Sequence, residues 1–162
     1  GFNPSGTTAL ILGAGGAAKA ICSKLCSNDV KEIFIFDIFK DKANELKTHL
    51  DGFNFTSKVQ IIENDNVDDI CKDSNLIVNC TPIGMKDSDP ELINSNSISS
   101  DQCVYDLIYS PPLTKLLYTA KNKGAKYVNG MNMLAYQGAE SFAIWENVNP
   151  PYEIMSKELS GG

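Results

Sequence analysis

The chain has 162 residues, 43% of them hydrophobic and 21% charged, with a formal net charge of −6. This composition argues against disorder along the whole length, and the length suits one compact domain with a sizeable core rather than two. The acidic balance argues against a nucleic-acid surface, which needs a basic face. It leaves room for a phosphate-bearing ligand, whose charge can be met by backbone N–H groups at a helix start.

In chain order, residues 8–12 (Thr-Ala-Leu-Ile-Leu) form a short continuous apolar run between Gly6 and Gly13 and read as a strand buried on both faces. A helix is predicted over residues 15–27, with its apolar side read as Ala17, Ala20, Ile21, the Lys24 stem and Leu25, and its end at Ser27-Asn28-Asp29. Residues 33–36 give a second buried strand, 41–50 an amphipathic helix carrying Ala43, Leu46 and Leu50, and 59–62 a weaker third strand. A short helix over 67–71 precedes strands at 76–79 and 103–106. The intervening segment 86–100 is long, polar and rich in Ser, Asp and Asn, and is expected to be mobile. A helix over 113–123 is stopped by Gly124, a sixth strand covers 125–128, and a last helical stretch over 131–145 is bounded by Pro150-Pro151.

Strands alternating with helices of this length call for βαβ units and a parallel sheet. The expected fold is α/β, a Rossmann-like doubly wound parallel sheet of about six strands with the first strand central. Residues 1–150 are assigned to one nucleotide-binding domain and 151–162 to a C-terminal tail or helix.

Gly13-Ala14-Gly15-Gly16-Ala17-Ala18 fits G-x-G-x-x-A directly after a strand and directly before a helix, the context that gives the motif its meaning. Gly13 allows the tight reversal, Gly15 lets the backbone approach a pyrophosphate, and Ala18 lets the helix pack close on the sheet. The alternative is a small-residue turn chosen only for packing. Asp37 follows the second strand, where a carboxylate can accept hydrogen bonds from adenosine ribose hydroxyls and repel a 2′-phosphate. Lys40 and Lys42 lie just beyond and would partly offset that repulsion, and the competing role for Asp37, capping the next helix, fits Asp41 better.

The five cysteines include no CxxC pair, and the single His49 is too little to complete a zinc set, so no metal site is assigned. Cys22 and Cys26 suit buried small apolar residues, and the cysteine usage points to a reducing cytoplasm. No run is long enough for a transmembrane span, and the first residues lack a signal-peptide pattern. The N-terminus reads as a cut through a longer chain, and Gly161-Gly162 as either a natural end or an added tail.

Four blocks carry a resemblance to a known family: the glycine turn, Asn79-Cys80-Thr81-Pro82-Ile83-Gly84-Met85, Tyr105-Asp106-Leu107-Ile108-Tyr109-Ser110-Pro111-Pro112-Leu113-Thr114, and Asn129-Gly130-Met131-Asn132-Met133-Leu134-Ala135-Tyr136-Gln137-Gly138-Ala139. In these blocks the chain resembles the cofactor domain of the shikimate dehydrogenases, which reversibly reduce 3-dehydroshikimate to shikimate with NADP or NAD. The resemblance implies that Thr81 lines the cofactor channel, that Leu107 and Gly130 lie by the nicotinamide, and that Met133 packs against that ring. It implies that Tyr109 and Gln137 reach the substrate, and that the catalytic Lys and Asp belong to a separate N-terminal substrate domain. No catalytic residue is therefore assigned in this chain, which on its own is expected to bind cofactor without turnover.

Many family members carry Asn-Arg-Thr after the second strand, where the Arg clamps the 2′-phosphate of NADP. Here Asp37-Ile38-Phe39 stand instead, which moves the expectation towards NAD and towards quinate/shikimate relatives. Two other classes stay open at this point: a non-catalytic nucleotide-sensing module using segment 86–100 as its partner surface, and an S-adenosylmethionine methyltransferase, in which the Tyr109, Gly130 and Gln137 blocks would have no place.

Overall fold

The structure is a computed structural model that describes residues 1–159; Ser160 and the glycine pair Gly161-Gly162 lie outside the described residues. Six parallel strands form one sheet, β1 (Thr8–Leu12), β2 (Glu32–Phe36), β3 (Lys58–Ile61), β4 (Leu76–Asn79), β5 (Cys103–Asp106) and β6 (Lys126–Asn129), in the order β3-β2-β1-β4-β5-β6. The helices are α1 (Gly16–Cys26), α2 (Lys40–Asp51), α3 (Val67–Asp73), α4 (Lys115–Lys123), α5 (Met131–Glu146) and α6 (Tyr152–Leu159). The expected doubly wound architecture is therefore present, with β1 central and the order reversing between β1 and β4.

Strand β1 explains why a continuous apolar run was needed. Its side chains alternate between faces, so Ala9 and Ile11 join one core with Cys22, Leu25, Ile35 and Leu46, while Leu10 and Leu12 join the other with Ile77, Val104 and Leu117. Both cores are covered, by α1 and α2 on one face and α3 and α4 on the other.

The buried stripe of α1 differs from the expectation. Ala18, Cys22, Leu25 and Cys26 face the sheet, whereas Ala20 and Lys24 are exposed and Ala17 and Ile21 only half-buried. Ala18 sets this register: the third small residue of the turn must touch the sheet, and 18, 22, 25 and 26 follow it at helical spacing.

Helix α4 begins later than residue 113 because Thr114 is its N-cap, the hydroxyl accepting from the Leu117 N–H at 3.3 Å. Gly124 closes it in the left-handed conformation, φ +76°.

Segment 86–100, expected from its polar composition to be mobile, is tied down at several points. Ile93, Ser97 and Ile98 are buried, the Asn94 N–H donates to Asp68 Oδ1 at 2.9 Å, and Lys115 Nζ donates to the carbonyls of Asp87 and Asp89. Two isoleucines suffice to seat a chain whose average is hydrophilic.

Helix α6 packs on α5, where the Tyr136 and Tyr152 rings lie 4.8 Å apart. No helix among the described residues is long and apolar enough to cross a membrane.

All five cysteines are free thiols. Burial pushes every one of them upward from its ordinary pKa, Cys71 and Cys80 to about 12. Because the thiolate is the reactive form, the native protein at neutral pH is expected to show no fast phase with an aromatic disulfide reagent, and all five thiols in denaturant. A fast native phase would contradict the packing described for these residues.

Candidate cofactor site

The carboxyl ends of the strands align along one edge, with Leu12 beside Phe36 and Asn79, and Asn79 beside Asp106. Ligands bind along such an edge where the strand order reverses. There β1 turns into α1. Gly13 has φ +93°, and a Cβ on it would lie 2.9 Å from Thr81 Cγ2 and 3.1 Å from the Cys80 carbonyl. Only glycine meets both conditions. The Gly13 N–H donates to the Phe36 carbonyl at 2.7 Å, which draws the turn against β2.

Gly15 is the N-cap of α1, without a side-chain cap and with no acidic residue in the first turn. A Cβ on Gly15 or Gly16 would meet nothing within 4 Å. The helix thus opens with its positive end and its first amide groups facing free space, the arrangement that receives phosphate. Ala14 stands at the tip of the turn and half-buried Ala17 just inside the helix.

Asp37 does more than the sequence indicated. Its Oδ2 accepts from the Ala14 N–H and its Oδ1 from the Phe39 N–H, each at 2.8 Å, so the carboxylate fastens the glycine turn to the end of β2. Phe39, not Asp37 or Asp41, occupies the N-cap of α2, and no side chain caps it; Asp41 sits in the first turn. Ile38 is 74% exposed, and Lys42 holds its ammonium 4.8 Å above the Phe39 ring. Gly13, Ala14, Gly15, Asp37, Lys42 and Thr81 are among the residues that line an open groove of about 320 Å³. That volume lies within the usual range for small-molecule sites.

Thr81 is held rigidly. Asn79 Oδ1 accepts from its N–H at 2.9 Å and from its hydroxyl at 2.7 Å, and the hydroxyl accepts from the Ile83 N–H. Asn79 Nδ2 donates to Asp106 Oδ1 at 3.0 Å and to the Ile83 carbonyl. Asp106 also accepts from the Ile108 N–H at Oδ1 and from the Thr114 hydroxyl at Oδ2. Burial raises the Asp106 pKa above the ordinary carboxylate value, and these three donors oppose that rise. The sequence assigns Asn79 and Asp106 no role of their own beyond ending their strands and belonging to the resembling blocks; a polar residue ending an apolar run is the signal of this network.

Leu107 and Gly130, assigned together by the resemblance, are in contact. A Cβ on Gly130 would fall 1.9 Å from the Leu107 carbonyl oxygen, and the Gly130 N–H donates to the Ile108 carbonyl at 3.2 Å. Met133 is half-buried in the first turn of α5, Gln137 is exposed one turn on, and Tyr109 is exposed beyond β5. These three lie outside the lining of the groove, as do Leu107, Gly130, Gly16 and Ala17. Among the described residues no group of three or more His, Cys, Asp or Glu is gathered for a metal ion, and His49 rests edge-on to Phe53 at 5.2 Å.

A family description, the shikimate 5′-dehydrogenase C-terminal domain, matches residues 130–159. The shikimate dehydrogenase (NADP(+)) of Methanopyrus kandleri is 37% identical over 161 residues, 98% of this chain and 56% of the relative. This chain matches the C-terminal, cofactor-binding portion of the shikimate dehydrogenases. It spans about half the length of the curated relatives it matches. The shikimate dehydrogenase of Aquifex aeolicus superposes with a TM-score of 0.81 at 33% identity, over 99% of this chain and 55% of that one. The Listeria monocytogenes shikimate 5-dehydrogenase, solved with shikimate and NAD, gives 0.83 at 30% identity, over 96% and 56%. Both NADP and NAD thus occur with shikimate dehydrogenases similar to this chain.

Proposed function

We propose that the groove holds a nicotinamide dinucleotide, and that this chain is the cofactor half of an enzyme interconverting 3-dehydroshikimate and shikimate. The observation that carries the reading is the turn itself, where Gly15 and Gly16 leave open space in front of an uncapped helix start. The nucleotide, when bound, supplies or accepts the hydride. The glycine turn would bind its diphosphate and Asp37 the adenosine ribose. Thr81, Leu107, Gly130 and Met133 would border the nicotinamide, and Tyr109 and Gln137 would reach the substrate with a hydroxyl and an amide. The acid–base Lys and Asp would come from a substrate domain preceding these residues, with α6 (Tyr152–Leu159) packing towards it. Five free thiols support a reducing, cytoplasmic setting.

Within this reading NAD is the favoured cofactor, as in quinate/shikimate relatives, because the Asp37 carboxylate would repel a 2′-phosphate and the Ile38 side chain would offer it no donor. Calorimetric titration is expected to show binding of both nucleotides with NAD the tighter; no binding of either at millimolar concentration would end the proposal. Asp37→Asn removes the repelling charge and is expected to shift the NAD/NADP affinity ratio towards NADP by about tenfold. An unchanged ratio would take Asp37 out of this role.

A further inference from the structure

Asn79 and Asp106 stand side by side at the ends of two central strands, paired in register and each 0% exposed. Polar groups in so dry a place are disfavoured unless their hydrogen bonds are met. They are met almost wholly by groups on the loops that leave the sheet towards the crevice. Asn79 takes both hydrogen bonds of Thr81 and donates to the Ile83 carbonyl. Asp106 takes the Ile108 N–H from the next loop and the hydroxyl of Thr114, which ends that loop and caps α4. The Asn79–Asp106 bond joins the two halves. Through Leu107 against Gly130, the second loop also bears on the start of α5.

We infer that Asn79, Asp106 and Thr114 form a positioning latch that fixes the Thr81 loop relative to the Leu107–Tyr109 loop, and so sets the edge of the crevice where the nicotinamide is proposed to lie. The inference rests on the nicotinamide-dinucleotide reading and goes beyond it in separating the two ends of the site. The adenosine and diphosphate end depends on the glycine turn and Asp37, which share no hydrogen bond with the latch and meet the loop it holds through the packing of Gly13 on Thr81. None of the three residues lines the groove; each acts through the loops it holds.

The test titrates the full chain with NADH and with ADP-ribose, which keeps the adenosine and diphosphate but lacks the nicotinamide. In Asp106→Asn and in Thr114→Val, NADH affinity is expected to fall by about tenfold while ADP-ribose affinity changes by less than about twofold, as loss of a buried hydrogen bond at one end implies. Thr114→Ser keeps the hydroxyl and is expected to restore NADH binding. Thr114→Val leaves Asp106 two of its donors, so a folded variant is in hand even where Asp106→Asn is not. A NADH/ADP-ribose ratio unchanged in the folded variants, including a parallel loss of both affinities, overturns the latch. Failure of the unaltered chain to bind either ligand overturns the nucleotide reading and the latch with it.

Discussion

Gly130→Ala is expected to destabilise the domain by about 3 kcal/mol or more, in the upper range for overpacking. The backbone at Gly130 is not at fault: its φ of −74° is one any residue adopts. The obstacle is distance. The new Cβ would stand 1.9 Å from the Leu107 oxygen and 2.6 Å from its carbon, and a Cβ has no rotamer by which to move away. Relief therefore requires the loop after β5 and the loop after β6 to part, which lengthens the Gly130–Ile108 hydrogen bond and shifts the first turn of α5. Urea unfolding followed by far-UV circular dichroism measures the change. A midpoint equal to the parent chain would mean that the two strand exits do not approach this closely in solution.

The fold was legible where one physical constraint dominated. A four- or five-residue apolar run in a βαβ rhythm has to be a strand covered on both faces, and β1, β4 and β5 begin and end where that reasoning places them. The face of α1 was less legible, because Ala17, Ala20 and Ile21 form as plausible a stripe as Ala18 and Cys22; only the contact that Ala18 makes with the sheet decides between them. Segment 86–100 misled because composition averages hide two isoleucines and because its tethers, Asp68 and Lys115, lie well outside it in sequence.

Within the site, the glycine turn was readable from local spacing alone. The second task of Asp37, holding the Ala14 amide, was not, since it depends on β1 and β2 ending level with each other. The Asn79–Asp106 pair is 27 residues apart and is visible only once β4 and β5 are placed in register.

Gly13 and Gly15 should respond to substitution in opposite ways, and the difference separates folding from binding. Gly13→Ala combines a left-handed φ with a 2.9 Å contact to Thr81, so it should lower thermal stability whether or not nucleotide is present. Gly15→Leu meets neither obstacle: φ is −78°, and nothing lies within 4 Å of its Cβ. It should fold with a melting temperature close to that of the parent chain. Its side chain would nevertheless occupy the space in front of the α1 amides, where the diphosphate is proposed to lie. NAD affinity is therefore expected to fall by about 100-fold, equivalent to about 2.7 kcal/mol, because a displaced diphosphate loses its amide donors and the field of the helix together. Calorimetric titration beside a thermal melt reads both effects on one sample. A Gly15→Leu chain that melts normally and still binds NAD like its parent would place the nucleotide elsewhere and leave the turn a packing device. Normal melting with binding lost would tie the site to the bare amides where β1 becomes α1.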